Sequence, residues 1–128
     1  MKATRAASKL VVVIDDDPLV LEATGGLLRS WGCRVVTAES YGEALRLLGE
    51  AGRRPDMIVC DYRLSQGATG VDAIEKLRSA FKIPALLISG DASSPLCEAG
   101  SGGYHLLHKP LNAESFRAAL VDASVLQS

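Results

Sequence analysis

Apolar positions fall in five short runs separated by longer stretches of mixed character. The runs are Leu10 to Ile14, Arg34 to Ala38, Met57 to Cys60, Ala85 to Ile88 and Tyr104 to Leu107. Short runs rich in β-branched residues and closed by polar turns read as strands, most of them buried on both faces. Between them the apolar residues take helical spacing. Val20, Leu21, Leu27, Leu28 and Trp31 mark a helix over Pro18 to Trp31. Ala44, Leu45, Leu47 and Leu48 face inward on a second helix that runs to about Ala51. Ile74, Leu77 and Phe81 mark another, and Phe116, Leu120 and Ala123 line one face of the last.

Punctuation supports these boundaries. Asp17 suits a helix cap and Pro18 a first helical position, where a missing N–H costs nothing. Gly32 is a stop for the first helix. Gly25 and Gly26 weaken that helix by roughly 1 kcal/mol each relative to alanine, which suggests a close neighbour. Ser40 with Glu43 matches a capping box, as does Thr69 with Asp72. Gly52 to Pro55 breaks the second helix, Tyr62 to Thr69 is a loop, and Asn112 caps the final helix. Ser94-Pro95 starts a short helix that the Gly100 to Gly103 segment is too glycine-rich to extend. Five strand–helix units with short connections predict an α/β fold, a parallel sheet with helices on both faces and right-handed crossovers. Residues 10–123 form one domain, residues 1–9 a disordered arm or linker, and residues 124–128 a tail.

Composition narrows the class. The chain of 128 residues suffices for one core. Basic and acidic residues number 14 and 15, a formal net charge of -1. That balance gives no electrostatic case for direct nucleic-acid binding or for an anionic membrane. No apolar run approaches the roughly 20 residues of a membrane span, and no signal peptide opens the chain. Cys33, Cys60 and Cys97 are odd in number and lack a CxxC, which argues against a disulfide framework or zinc site and for thiols in a reducing cytoplasm.

The candidate chemistry collects at strand ends. In a parallel sheet all carboxyl ends share one edge, where ligands bind. Asp15, Asp16 and Asp17 follow the first strand, Asp61 the third, Ser89 the fourth and Lys109 the fifth. Close carboxylates need a compensating cation. Magnesium suits them, because it takes oxygen ligands and works with one or two carboxylates plus a phosphate. Lysine offers a point charge to an anion, and serine a hydroxyl. Metal, lysine and hydroxyl around one carboxylate make a site for phosphoryl transfer to that carboxylate.

The segments VVVIDDDP, IVCDYRL, LLISGD and LLHKPL, in this order, resemble the receiver domain of two-component response regulators from about Leu10 to Ala123. The resemblance implies a flavodoxin-like (βα)5 fold with strand order 2-1-3-4-5, which sets Asp61 beside Asp15 and Asp16. It implies that Asp15 and Asp16 bind Mg2+, that Asp61 is the phosphoacceptor, and that the Arg63 backbone carbonyl is a further metal ligand. Ser89 takes the switch hydroxyl position, Lys109 contacts the phosphate, and the Lys109–Pro110 bond is cis. A histidine kinase or histidine phosphotransfer domain is the implied donor.

Three positions depart from the family pattern. Leu106 stands where an aromatic or histidine switch residue is usual, with Tyr104 two residues earlier. Ser65 replaces a proline four residues after Asp61, and Gly70 lies nine residues on rather than eight. Glycines fill the end of the fourth helix. The DYRL and LLHKPL segments also resemble receivers fused to hybrid sensor histidine kinases, which would make Met1 to Lys9 a linker; a stand-alone receiver is the other form. An unphosphorylated protein-interaction module of the same fold is the alternative function. Asp91 and Arg63 tune access, while His105, His108 and Cys60 serve structure.

Overall fold

The computed structural model describes residues 9–52, 54–61, 75–76, 83–89, 104–108 and 112–122. Their elements are β1 (Leu10–Ile14), α1 (Pro18–Ser30), β2 (Arg34–Ala38), α2 (Tyr41–Ala51), β3 (Met57–Asp61), β4 (Ala85–Ser89), β5 (Tyr104–His108) and α3 (Ala113–Asp122). Glu75 and Lys76 are helical, as the Ile74 to Phe81 pattern expects. The loop 62–69, the Thr69–Asp72 box, Ser94-Pro95, Gly100 to Gly103, Cys97, Ala123 and the Lys109–Pro110 bond lie outside the described residues.

All strand pairs are parallel, and the order is β2-β1-β3-β4-β5. Alternation along β1 divides the core between the two faces of the sheet. Val12 and Ile14 pack with Ala44 and Leu48 of α2. Val11 and Val13 pack with Leu21 and Leu28 of α1 and with Phe116 and Leu120 of α3. Trp31 stacks at a tilt on Phe116, with ring centroids 5.6 Å apart. Cys60 is buried in the α2-side cluster, the packing role its alternation predicts.

Three strands run one residue further than their apolar runs. Asp61 pairs in register with Ile88, and Ser89 with His108. The ladder is made by backbone groups, so a polar side chain at the last rung does not end it.

The helix ends follow their signals, with one shift. The Asp17 carboxylate accepts the Leu19 N–H, and Asn112 accepts the N–H groups of Glu114 and Ser115. Gly32 and Gly52 take the positive φ of helix stops, 92° and 66°. Ser40 Oγ accepts the Glu43 N–H, but the Glu43 carboxylate reaches back to the Glu39 N–H at 2.6 Å rather than to Ser40. Leu45 is exposed, contrary to the inward face expected of it; it sits about 100° around the helix from Ala44, away from the Ala44–Leu48 line that meets the sheet.

Only one of the paired glycines has a close neighbour. A Cβ on Gly25 would lie 3.4 Å from the Thr37 methyl and 3.6 Å from a Val35 methyl, whereas one on Gly26 would meet nothing within 4 Å. Gly26→Ala is therefore expected to stabilise the protein by about 0.5–1 kcal/mol, read as a higher denaturant midpoint at unchanged slope.

Candidate functional site

The site is built where β1 and β3 end side by side. Their register runs from Val11 opposite Met57 to Ile14 opposite Cys60, so Asp15 and Asp61 are the next positions on adjacent strands. Asp15 is held twice. Its N–H donates to the Ala38 carbonyl at 3.1 Å, and its Oδ1 accepts the Asp17 N–H at 2.9 Å. The three acids of this turn thus serve different ends. Asp17 caps α1, Asp15 is fixed by backbone groups, and Asp16 is exposed.

One carboxylate oxygen from each of Asp15, Asp16 and Asp61 lies within 4.8 Å of the others. Asp15 and Asp61 are buried, at 4 % and 8 % exposure. An all-oxygen donor set with one solvent-facing member fits a hard divalent cation that keeps part of its water, as Mg2+ does. The expected gathering of Asp15, Asp16 and Asp61 is therefore present. Ser89 is the last residue of β4, at the same sheet edge, and Lys109 follows directly on β5. The Ser89 side chain, Arg63, Lys109 and the Leu106 side chain lie outside what the structure describes.

Cys60 adjoins this cluster on the opposite side of β3. Its Sγ donates to the Asp61 carbonyl at 3.4 Å. Burial first, then the Asp61 and Asp15 charges, push the thiol far above its ordinary pKa. The sign of the consequence follows from proton binding. Above about pH 8.5 the unfolded chain's thiols lose protons that the folded Cys60 keeps, so stability is full below that pH and falls as pH rises. Cys60→Ala should flatten the alkaline decline in a pH series of denaturant midpoints.

Two residues escaped the sequence reading. Leu19, on the first turn of α1 beside the acids, is 74 % exposed; its signal was its place outside the Leu21–Thr24–Leu28 stripe. Asp56 staples the entry to the sheet: its carboxylate accepts the Leu10 N–H at 2.8 Å, and its own N–H donates to the Leu10 carbonyl.

The response regulator receiver domain family matches residues 11–121. The chain belongs to that family and is a receiver domain of two-component signalling. Such domains bind Mg2+ at an acidic pocket, and this chain has a cluster of three aspartates. The chain is 32% identical over 113 residues to the transcriptional regulatory protein KdpE of Mycobacterium tuberculosis, covering 87% of this chain and 49% of that protein. It is 26% identical over 118 residues to the phyllosphere-induced regulator PhyR of Methylorubrum extorquens, covering 91% and 44%. The PhyR receiver domain of Erythrobacter litoralis superposes with a TM-score of 0.80 at 26% identity, covering 94% of each chain. Vibrio cholerae chemotaxis protein CheY4 gives 0.79 at 26% identity, covering 91% of this chain and 98% of that one. The chain spans about a quarter to a half of the length of the curated relatives it matches. Among the described residues no helix is long and apolar enough to cross a membrane.

Proposed function

We propose that Asp61 accepts a phosphoryl group from the phosphohistidine of a histidine kinase or histidine phosphotransfer domain. The observation that carries this reading is the convergence of Asp15, Asp16 and Asp61 within 4.8 Å at one sheet edge. Asp15, Asp16, Asp61 and the Arg63 carbonyl would hold Mg2+, which supplies neutralisation of the charge gathered on the phosphoryl oxygens. An Asp61 oxygen attacks phosphorus in line. The O–P bond forms as the donor's N–P bond breaks, and the electron pair leaves with the imidazole, which takes up a proton from water. Lys109 and Ser89 contact the transferred group, and its new charge then draws on the loop after β4, biasing a two-state face. A cytoplasmic setting is part of this reading, and the burial of Cys33 and Cys60 outside any disulfide among the described residues is in keeping with it.

Exposed Leu19 offers the apolar contact a protein donor needs beside the acids. Leu19→Ser should slow transfer from a phosphohistidine protein about tenfold or more while leaving acetyl phosphate labelling unchanged.

The test is intact mass after incubation with acetyl phosphate, with Mg2+ or with chelator, for the native chain and for Asp61→Asn. Gain of one phosphoryl group that needs Mg2+ and is absent from the variant is the expected result. No gain, with the fold intact and beryllofluoride trapping also negative, would overturn the assignment in favour of an unphosphorylated interaction module.

A further inference from the structure

We propose that the outer edge of β2 docks an acidic, extended segment of a partner protein, which adds to the sheet as a sixth strand. Among the described residues β2 pairs with β1 alone. In a parallel strand each residue turns its N–H and C=O the same way, and successive residues alternate. The Arg34 N–H donates to the Lys9 carbonyl, and the Ala38 carbonyl accepts the Asp15 N–H. Arg34, Val36 and Ala38 therefore bond toward β1, which leaves Val35 and Thr37 with N–H and C=O turned outward. That is the hydrogen-bonding pattern an added strand uses.

An open groove of about 540 Å³ straddles this edge, lined by Leu10, Arg29, Arg34, Val35, Val36 and Ala51 among others. Its lining mixes aliphatic side chains with two cations, and these sit on opposite faces. Val35 belongs to the α1-side cluster and Val36 to the α2-side one. The Arg29 guanidinium lies 3.3 Å from the Cβ position of Gly25, the same point that the Val35 and Thr37 methyls approach. Arg34 shares the alternation of Val36 and so belongs to the other face. Neither guanidinium has a carboxylate within ion-pair distance among the described residues, and Glu50 is already bonded to Arg46. An added strand places successive side chains on alternate faces, so neighbouring carboxylates on it meet Arg29 and Arg34 in turn.

A second copy fits less well. The two-fold axis that pairs β2 with itself antiparallel keeps both α1 helices on one face of the seam and brings the two Arg29 side chains toward each other. Charged residues on an edge strand also serve simply to repel unwanted strands; that reading predicts no docking.

The probe is a fluorescein-labelled eight-residue peptide carrying a central Glu-Glu between valines, beside the same peptide with lysines for glutamates. Expected is salt-sensitive binding of the acidic peptide alone, read by anisotropy. Arg29→Glu with Arg34→Glu should weaken it at least about tenfold. Thr37→Pro, which removes an outward N–H and no bond to β1, should abolish it. Amide exchange at Val35 and Thr37 should slow on binding while Val36, already bonded, stays as before. Absence of binding, equal binding by the double variant, or protection confined to other strands would overturn the proposal. So would a concentration-dependent dimer that Thr37→Pro dissolves, since the second copy would then hold the edge. The double variant and the amide readout decide the matter even where Thr37→Pro fails to fold.

Discussion

Asp15→Asn is expected to make the metal-free protein more stable and the Mg2+-loaded protein less so. Asn keeps the Oδ1 that accepts the Asp17 N–H, so the turn survives. What is lost is one of three carboxylate charges that lie within 4.8 Å, two of them buried. Like charges at this range in a partly desolvated site repel by an amount on the order of 1 kcal/mol or more after screening. On the proposed reading a bound cation would offset that cost, because binding adds RT ln(1 + [L]/Kd) to stability. The variant should bind Mg2+ at least about tenfold more weakly, about 1.4 kcal/mol. Thermal melts with chelator and with millimolar Mg2+ should therefore cross in rank order. Parallel melts would show that the three acids are not sharing a cation.

The largest loss of stability is expected at Phe116. It is fully buried on α3 and meets Trp31 near the end of α1. Phe116→Ala removes the ring and leaves a void between both helices and β1, a change that costs about 3–5 kcal/mol. Against a total of roughly 5–15 kcal/mol, the denaturant midpoint should fall by about a fifth or more. Phe116→Leu should restore most of the loss. Trp31 emission reports this packing, since the indole contacts Phe116 and lies at the end of α1 away from the acids. A midpoint shift with an unchanged Trp31 spectrum would separate the ring contact from the cavity.

Much of this was legible in the chain because two periods carry most of the fold. Runs such as VVVI and MIVC name buried strands, and capping residues such as Asp17, Ser40 and Asn112 name helix starts. The acidic cluster was legible for a similar reason: polar residues at the ends of parallel strands must gather on one edge. That β3 lies beside β1 does not follow from periodicity, and the expectation rested on the family resemblance. What stayed hidden depends on geometry between elements. Asp61 and Ser89 are rungs of the sheet rather than loop residues because backbone pairing ignores side-chain polarity. Leu45 matched the apolar pattern and still faces out, since a stripe has finite width. The Glu43 reach to Glu39 and the outward groups of Val35 and Thr37 become visible only once the backbone is placed.

The position of Asp61 on the last rung of β3, rather than in the loop after it, also decides where the entropy of the site is spent. Its backbone is ordered by the same pairing that orders Val59 and Cys60, and Asp15 is ordered by Ala38 and Asp17. Freezing a residue costs roughly 1–2 kcal/mol, and here folding has already met that cost before any ion or phosphoryl donor arrives. Association at these two carboxylates is therefore preorganised. By the same coupling the Asp61 backbone does not loosen alone: to move it is to open the last rung of the β3–β4 ladder.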